Sequence, residues 1–160
     1  MQRPLLIAML SALFMAVAGS TAIAAVYSNA SVAGTWVCVG SGYHQVKDQK
    51  GVTSWAPDSF VGWYTLDGKG KFASVKETDN SAGMACNNTI GQGPNSYSVS
   101  SDGSASFTLT ESASGSNPSQ CPVNATAHSN GVFQSATSLY AVPADSGASG
   151  WFICTKRSAK

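Results

Sequence analysis

Residues 97–111 read YSVSSDGSASFTLTE, and this stretch decides the fold class. Its central dipeptide, Asp102-Gly103, tolerates the positive φ angles of a tight hairpin turn. After the turn, Phe107 and Leu109 alternate with serine and threonine, so one face of the segment is apolar and the other is polar. A similar pattern, YTLDGKGKF, occupies residues 64–72. Each of the two stretches predicts one β-hairpin.

The rest of the chain repeats such short alternating runs, and after residue 26 none of it shows the spacing of an amphipathic helix. Asp67-Gly68 is the turn dipeptide of the 64–72 stretch, and Asn130-Gly131 predicts a third hairpin turn. Eight strands are predicted, over residues 35–43, 60–66, 71–78, 95–100, 104–111, 123–128, 132–141 and 151–156.

Eight antiparallel strands with few helical segments to cover them predict a sheet that closes on itself. A barrel is favoured over a sandwich, because a meander of sequential hairpins closes without long crossing connections. The predicted fold is therefore all-β: a single antiparallel up-and-down β-barrel of about eight strands, stapled by disulfides.

The four cysteines have wide, irregular spacings and form no C-x-x-C motif. Their even number favours two structural disulfides over a zinc or redox site. Three pairings are open. In a closed barrel the first and last strands are neighbours, which favours a bond between Cys38 and Cys154 and leaves Cys86 to pair with Cys121.

The N-terminus has the pattern of a secretory leader. One positive charge in residues 1–3 precedes an apolar run over residues 5–18, and Ala22-Ile23-Ala24 offers small residues for cleavage after Ala24. Residues 1–24 are therefore predicted to be a signal peptide and residues 25–160 the barrel domain, with an uncleaved membrane anchor as the alternative. The protein is expected to be secreted or periplasmic, with no membrane association after cleavage.

Composition narrows the range of partners. The 160-residue chain is 43% hydrophobic and 11% charged, which suits one globular domain and argues against a disordered chain. Nine lysines and arginines face eight acidic residues, so there is no basic excess to neutralise phosphates. No nucleic-acid partner is expected.

Two short motifs resemble those of calycins, the group that includes lipocalins and avidins. Gly34-Thr35-Trp36 stands at the start of the first predicted strand, and Lys156-Arg157 follow the last. In lipocalins a Gly-x-Trp opens strand one and a basic residue packs across the tryptophan. The resemblance implies that Gly34, Trp36 and either Arg157 or Lys156 close one end of the barrel, with a cation over the indole. The chain also resembles small exported bacterial proteins.

The resemblance further implies that the connection over residues 44–59 is a lid over the open end of the barrel. Trp55 lies in this connection, and either Trp63 or Tyr64 on the next strand would face the interior, because neighbouring residues of a strand point to opposite faces. Four residues are candidate contacts for a ligand: Tyr43, His44, Trp55 and Trp63. The alternative is that these aromatic residues are ordinary core residues of a solid barrel.

Catalytic motifs are missing. The chain has two histidines, His44 and His128, and neither a Gly-x-Ser-x-Gly nor a His-Glu-x-x-His pattern. Glu77 and Glu111 end predicted strands and are expected to be solvated charges. The sequence predicts no catalytic residue, no metal site and no cofactor.

Three functions remain. The first is an exported, non-catalytic protein that holds a small apolar or amphipathic ligand inside the barrel. The second is a secreted interaction protein or inhibitor that contacts a protein partner through the loops at 44–59 and 112–120. The third is a barrel cyclase or isomerase that uses Tyr43 or His44 as a proton donor. A hollow apolar interior would favour the first function, and a buried polar pair within it the third.

Overall fold

The structure, a computed structural model, describes residues 26–47, 50–81, 83–115, 121 and 123–158. The predicted signal peptide lies outside these residues, as does most of the predicted loop at 112–120. Within the described part of the chain, no helix has the length and apolar character needed to cross a bilayer.

Nine antiparallel β-strands make up the described fold. They are β1 (Gly34–Lys47), β2 (Thr53–Leu66), β3 (Phe72–Ser81), β4 (Met84–Ile90), β5 (Ser96–Val99), β6 (Ser104–Gly115), β7 (Val123–Ser135), β8 (Ser138–Pro143) and β9 (Ala148–Lys156).

The strands form one closed ring. Their order is β4-β3-β2-β1-β9-β8-β7-β6-β5, and an additional pairing of β4 with β6 joins the two ends of the sheet. The first strand, β1, pairs with the last, β9, from Trp36 opposite Lys156 to His44 opposite Ala148. The ring confirms the predicted all-β, up-and-down architecture, with nine strands in place of eight.

The ninth strand arises because one side of the ring is interrupted. The C-terminal half of β6 pairs with β4 and its N-terminal half with β5, so β4 and β5 act as one strand with an insertion at residues 91–95. The insertion folds over Thr110, whose hydroxyl donates to the Pro94 carbonyl oxygen at 2.9 Å. The prediction missed β4, because Asn87-Asn88 lacks the apolar alternation that marks a strand.

The prediction of a connecting lid over residues 44–59 is wrong, because residues 44–47 and 53–59 belong to strands. β1 and β2 are each 14 residues long and pair continuously from Gly34 opposite Leu66 to Lys47 opposite Thr53. Pro57 and the polar residues around it give the segment the composition of a loop. Proline is tolerated there because β3 ends opposite Asp58, so residues 53–57 have a partner strand on one side only. Likewise, residues 112–115 belong to β6 and not to a loop.

The predicted hairpin turn at Asn130-Gly131 is also wrong, whereas those at Asp67-Gly68 and Asp102-Gly103 are confirmed. β7 runs through Gly131 and turns only at residues 136–137. A Cβ at Gly131 would lie 2.9 Å from the Ala141 Cβ. The glycine therefore serves close packing between β7 and β8 and not a turn.

An apolar core fills one end of the ring. Trp36 is buried, meets the Phe133 ring edge-on at 5.3 Å and donates from Nε1 to the Val32 carbonyl oxygen at 2.9 Å. Burial of these rings removes a large apolar area from water, which is the main stabilising contribution in such a fold. The other members of this core include Leu66, Phe72, Val75, Tyr97, Phe107 and Leu139.

Two disulfides staple the ring. Cys38 pairs with Cys154, which stands directly opposite it in the β1–β9 ladder, and Cys86 pairs with Cys121. This is the connectivity that a closed meander favours. Two disulfides indicate an oxidising compartment, either extracellular or periplasmic.

Candidate functional site

A cavity of about 290 Å³ lies inside the ring and is lined by residues of every strand except β5. It exists because one wall carries small side chains. On β7 the cavity meets Ala125, Ala127 and Ser129. On β1 the inward positions at 40 and 42 are glycines, and Gly150 faces Gly42 from β9. Small residues on adjacent strands leave volume that larger side chains would fill.

Aromatic rings line part of this cavity. Phe60 and Phe152 meet edge-to-face with their centroids 5.6 Å apart, across the inner face of β1. Gly40 makes the contact possible, because a Cβ at that position would lie 2.4 Å from the Phe60 ring. This wall is suited to an apolar group of a ligand.

Another part of the lining carries four carboxyl groups. Asp58 on β2, Glu77 and Asp79 on β3 and Glu111 on β6 all line the cavity. Glu77 and Glu111 are therefore not solvated edge charges, and that prediction is wrong. We call these four residues the acidic wall.

Glu77 is the best-connected member of the acidic wall. Its Oε2 accepts a hydrogen bond from the Tyr64 hydroxyl, and its Oε1 accepts one from Asn88 Nδ2 at 2.8 Å. The pKa of Glu77 is raised to about 8, chiefly by burial and next by the charge of Glu111, while the hydrogen bond from Asn88 opposes this rise. The group therefore changes charge near neutral pH.

The pKa values of two more members of the acidic wall are raised as well. The pKa of Asp79 is raised to about 8, chiefly by burial and then by its hydrogen bond to Asp58 and the charge of Asp58. The pKa of Glu111 is raised to about 7 by burial and, to a smaller extent, by the charge of Asp79. Of the described residues that line the cavity, none is a lysine or an arginine. The carboxyl groups thus face one another without a strong counter-charge.

Several polar atoms of the acidic wall and of the neighbouring Asn88 are buried without a hydrogen-bond partner. Asn88 is only 7% exposed, and its amide oxygen is unpaired. The other unpaired atoms are Asp58 Oδ1, Asp79 Oδ1 and Glu111 Oε1. Leaving such atoms without donors costs about 1–3 kcal/mol each, so the cavity offers acceptors that a ligand can satisfy.

None of the four predicted ligand contacts lines the cavity. Tyr43, Trp55 and Trp63 are 55%, 52% and 42% exposed and do not line it. His44 takes the inward parity of Trp36 and Cys38 on β1. Its Nε2 lies 3.1 Å from Ser81 Oγ and its Nδ1 lies 3.8 Å from Asp58 Oδ2. Of the four, only His44 adjoins the acidic wall.

Of the two basic residues predicted to lie over Trp36, it is Lys156 that does so. Lys156 Nζ lies 5.8 Å from the centroid of the Trp36 ring. Gly34 leaves room for it, because a Cβ there would lie 3.0 Å from Lys156 Cε. The Arg157 side chain is exposed, and its backbone N–H donates to the Thr35 carbonyl oxygen at 2.8 Å.

No family model, no curated protein and no solved structure matches the chain. The fold and the cavity must therefore be interpreted from this chain's own residues.

Sequence reasoning missed the acidic wall, although strand alternation contained a signal for part of it. Phe107 and Leu109 fix the inward parity of β6, and Glu111 is the next residue on that face. Asp58 likewise shares the parity of Phe60 and Tyr64 on β2, but it lay in a segment predicted to be a loop.

The acidic wall does not have the geometry of a metal centre. Among the described residues, no three histidine, cysteine, aspartate or glutamate side chains are grouped so that they could hold a metal ion. Its carboxyl groups are spread over three strands and face a cavity larger than an ion.

Proposed function

We propose that this protein is an exported binding protein that holds a small amphipathic molecule in the cavity of a calycin-like barrel. The observation that carries the proposal is the cavity itself, which joins a wall of aromatic rings to a wall of buried acceptors. Its volume of about 290 Å³ lies near the lower end of the range of pockets for small organic ligands, roughly 300–1,000 Å³. The disulfides and the leader-like N-terminus support an exported protein.

Filling the cavity is expected to abolish ligand binding without unfolding the protein. Ala127→Phe introduces a ring on the small-residue wall of β7, where Ala127 lines the cavity. The neutral fluorescent probe N-phenyl-1-naphthylamine is expected to bind the unmodified protein with one-to-one stoichiometry. We expect its affinity to fall by about tenfold or more in the variant, measured by fluorescence titration.

The matched control is Val132→Phe, which adds a ring to the exposed outer face of the same strand. This variant is expected to bind the probe as the unmodified protein does. Probe binding that is lost in the control and retained in Ala127→Phe would place the binding surface on the outside of the ring, and the proposed function would be wrong.

A barrel cyclase or isomerase is the second candidate, and the Tyr64–Glu77–Asn88 hydrogen bonds favour it. A carboxyl group with a raised pKa in an apolar cavity can take or give a proton near neutral pH. The sequence assigned the proton donor to Tyr43 or His44, but neither residue lines the cavity. Glu77 is the residue whose environment suits the role.

A simple base-catalysed reaction tests this second candidate. In 5-nitrobenzisoxazole a base removes the ring C–H proton, the N–O bond breaks, and a cyanophenolate is released with the electron pair on oxygen. If Glu77 is a competent base, the protein accelerates this reaction and Glu77→Gln lowers the rate by about tenfold or more. A rate that is equal for both proteins, or equal to that of free acetate, would argue for binding without catalysis.

A further inference from the structure

We propose that the cavity selects a small organic cation: an ammonium group that contacts Glu77, Asp79 and Asn88, joined to an apolar body that packs against Phe60 and Phe152. The inference rests on the proposed function, because it names the chemical class of the ligand in the same cavity.

The charge of the lining supports a cation. Five carboxyl groups line the cavity, the four of the acidic wall and that of Asp145, and none of the described lining residues is a lysine or an arginine. The two histidines nearby are each beside an aspartate: His44 Nδ1 lies 3.8 Å from Asp58 Oδ2, and His128 Nδ1 lies 2.7 Å from Asp145 Oδ1. An anionic ligand would add repulsion to this site, whereas a cation supplies the missing counter-charge.

The unpaired acceptors give an independent indication of the same ligand class. Asn88 is more than nine-tenths buried, and its Nδ2 donates to Glu77 Oε1. Its amide oxygen is therefore the side-chain atom that has no hydrogen-bond partner. That oxygen accepts hydrogen bonds and cannot donate them. Asp58 Oδ1, Asp79 Oδ1 and Glu111 Oε1 are also buried without a partner, and once their carboxyl groups are ionised they too are acceptors only. An ammonium group carries three N–H donors and no acceptor, which complements such a wall.

The aromatic side chains of the lining favour an organic cation over a bare metal ion as the ligand. Phe60, Tyr64 and Phe152 line the same cavity, and a cation is also attracted to the faces of aromatic rings. No described group of side chains has the grouping of a metal site. The apolar volume beside the acidic wall is filled only by a ligand that carries a hydrocarbon body.

Three probes of equal chain length test the inference: octylammonium, octanol and octanoate, titrated calorimetrically into the full protein near neutral pH. Octylammonium is expected to bind at least about tenfold more tightly than octanol, and octanoate more weakly than both. Binding of octylammonium is also expected to release protons, seen as a heat that depends on the buffer, because a bound cation favours the ionised carboxyl groups. Octanol should show no such release.

The variant Glu77→Gln/Asp79→Asn separates charge recognition from apolar binding. It is expected to lower the affinity for octylammonium by about tenfold and to leave that for octanol within about twofold. If this variant does not fold, Glu111→Gln serves with the same expected direction. Asp102→Asn, in an exposed turn, is the control and should change neither affinity.

The outcomes distinguish the two proposals. If all three probes bind equally and the acidic variants change nothing, the cavity is a binding site without charge selection, so the inference is overturned and the proposed function stands. If no probe binds and N-phenyl-1-naphthylamine does not bind either, both are overturned.

Discussion

Raising the pH from about 5 to about 9 is expected to lower the free energy of unfolding by about 3 kcal/mol or more. The cause is the acidic wall, where the pKa of Glu77 and of Asp79 is raised to about 8 and that of Glu111 to about 7. In the unfolded chain the same carboxyl groups titrate near pH 4. Between these values the folded protein binds more protons than the unfolded chain, so its stability falls as the pH rises.

The stabilising effect is complete below about pH 4, where the carboxyl groups are protonated in both states, and it is lost as the pH passes 7–8. One pKa unit corresponds to about 1.4 kcal/mol, but Asp79 is partly open to solvent and contributes less than its pKa alone suggests. The other titratable groups facing the acidic wall are His44 beside Asp58, Tyr64 hydrogen-bonded to Glu77, and the His128–Asp145 pair.

Glu77→Gln isolates the largest part of this effect. The amide oxygen of glutamine can still accept from Asn88, and its NH₂ can donate to the Tyr64 hydroxyl oxygen, so both contacts survive without a charge. We expect the variant to be more stable than the unmodified protein at about pH 8 and equally stable at about pH 5, by urea unfolding. Asp102→Asn should not flatten the pH profile. A profile that rises from pH 5 to 9 would show that the acidic wall is solvated.

Removing the disulfide between Cys38 and Cys154 is expected to lower the free energy of unfolding by about 5 kcal/mol in the chain-entropy account. This bond spans 116 residues and ties the first strand of the ring to the last. The double variant Cys38→Ala/Cys154→Ala therefore frees the largest loop in the unfolded chain. Urea unfolding under oxidising conditions measures the difference.

The second disulfide provides the matched comparison. Cys86→Ala/Cys121→Ala opens a span of 35 residues, for which the same account expects a loss of about 4 kcal/mol. The first double variant should therefore be the less stable of the two. A loss below about 1 kcal/mol in the Cys38→Ala/Cys154→Ala protein would mean that packing around Trp36, and not the covalent bond, keeps β1 beside β9.

The sequence predicted the class of fold because local alternation and turn residues agree with the final structure. Asp67-Gly68 and Asp102-Gly103 form their turns, and the neighbouring strands follow. The failures occur where tertiary contacts override local preference. Gly131 packs against β8, and Pro57 fits a strand that lacks a second partner.

The candidate site was harder to predict from the sequence than the fold. A carboxylate in a strand is usually solvated, and nothing local to Glu77 or Asp79 indicates that both face a cavity. Only the closing of the ring brings β3 and β6 to the same interior. Exposed aromatic residues such as Trp63 were predicted to contact a ligand because they are aromatic. The alternation of side chains along the strand places them on the outer face of the ring.

The closed ring also bears on aggregation. An open sheet ends in strands whose unpaired backbone groups can recruit a strand from another molecule, but the β4–β6 pairing removes that opening here. Residues 53–57 project past the end of β3 and are one place where a neighbouring chain could add. Pro57 has no backbone N–H, so this segment lacks one hydrogen-bond donor. The missing donor opposes the addition of a strand from another molecule on a surface rich in exposed valine and tryptophan.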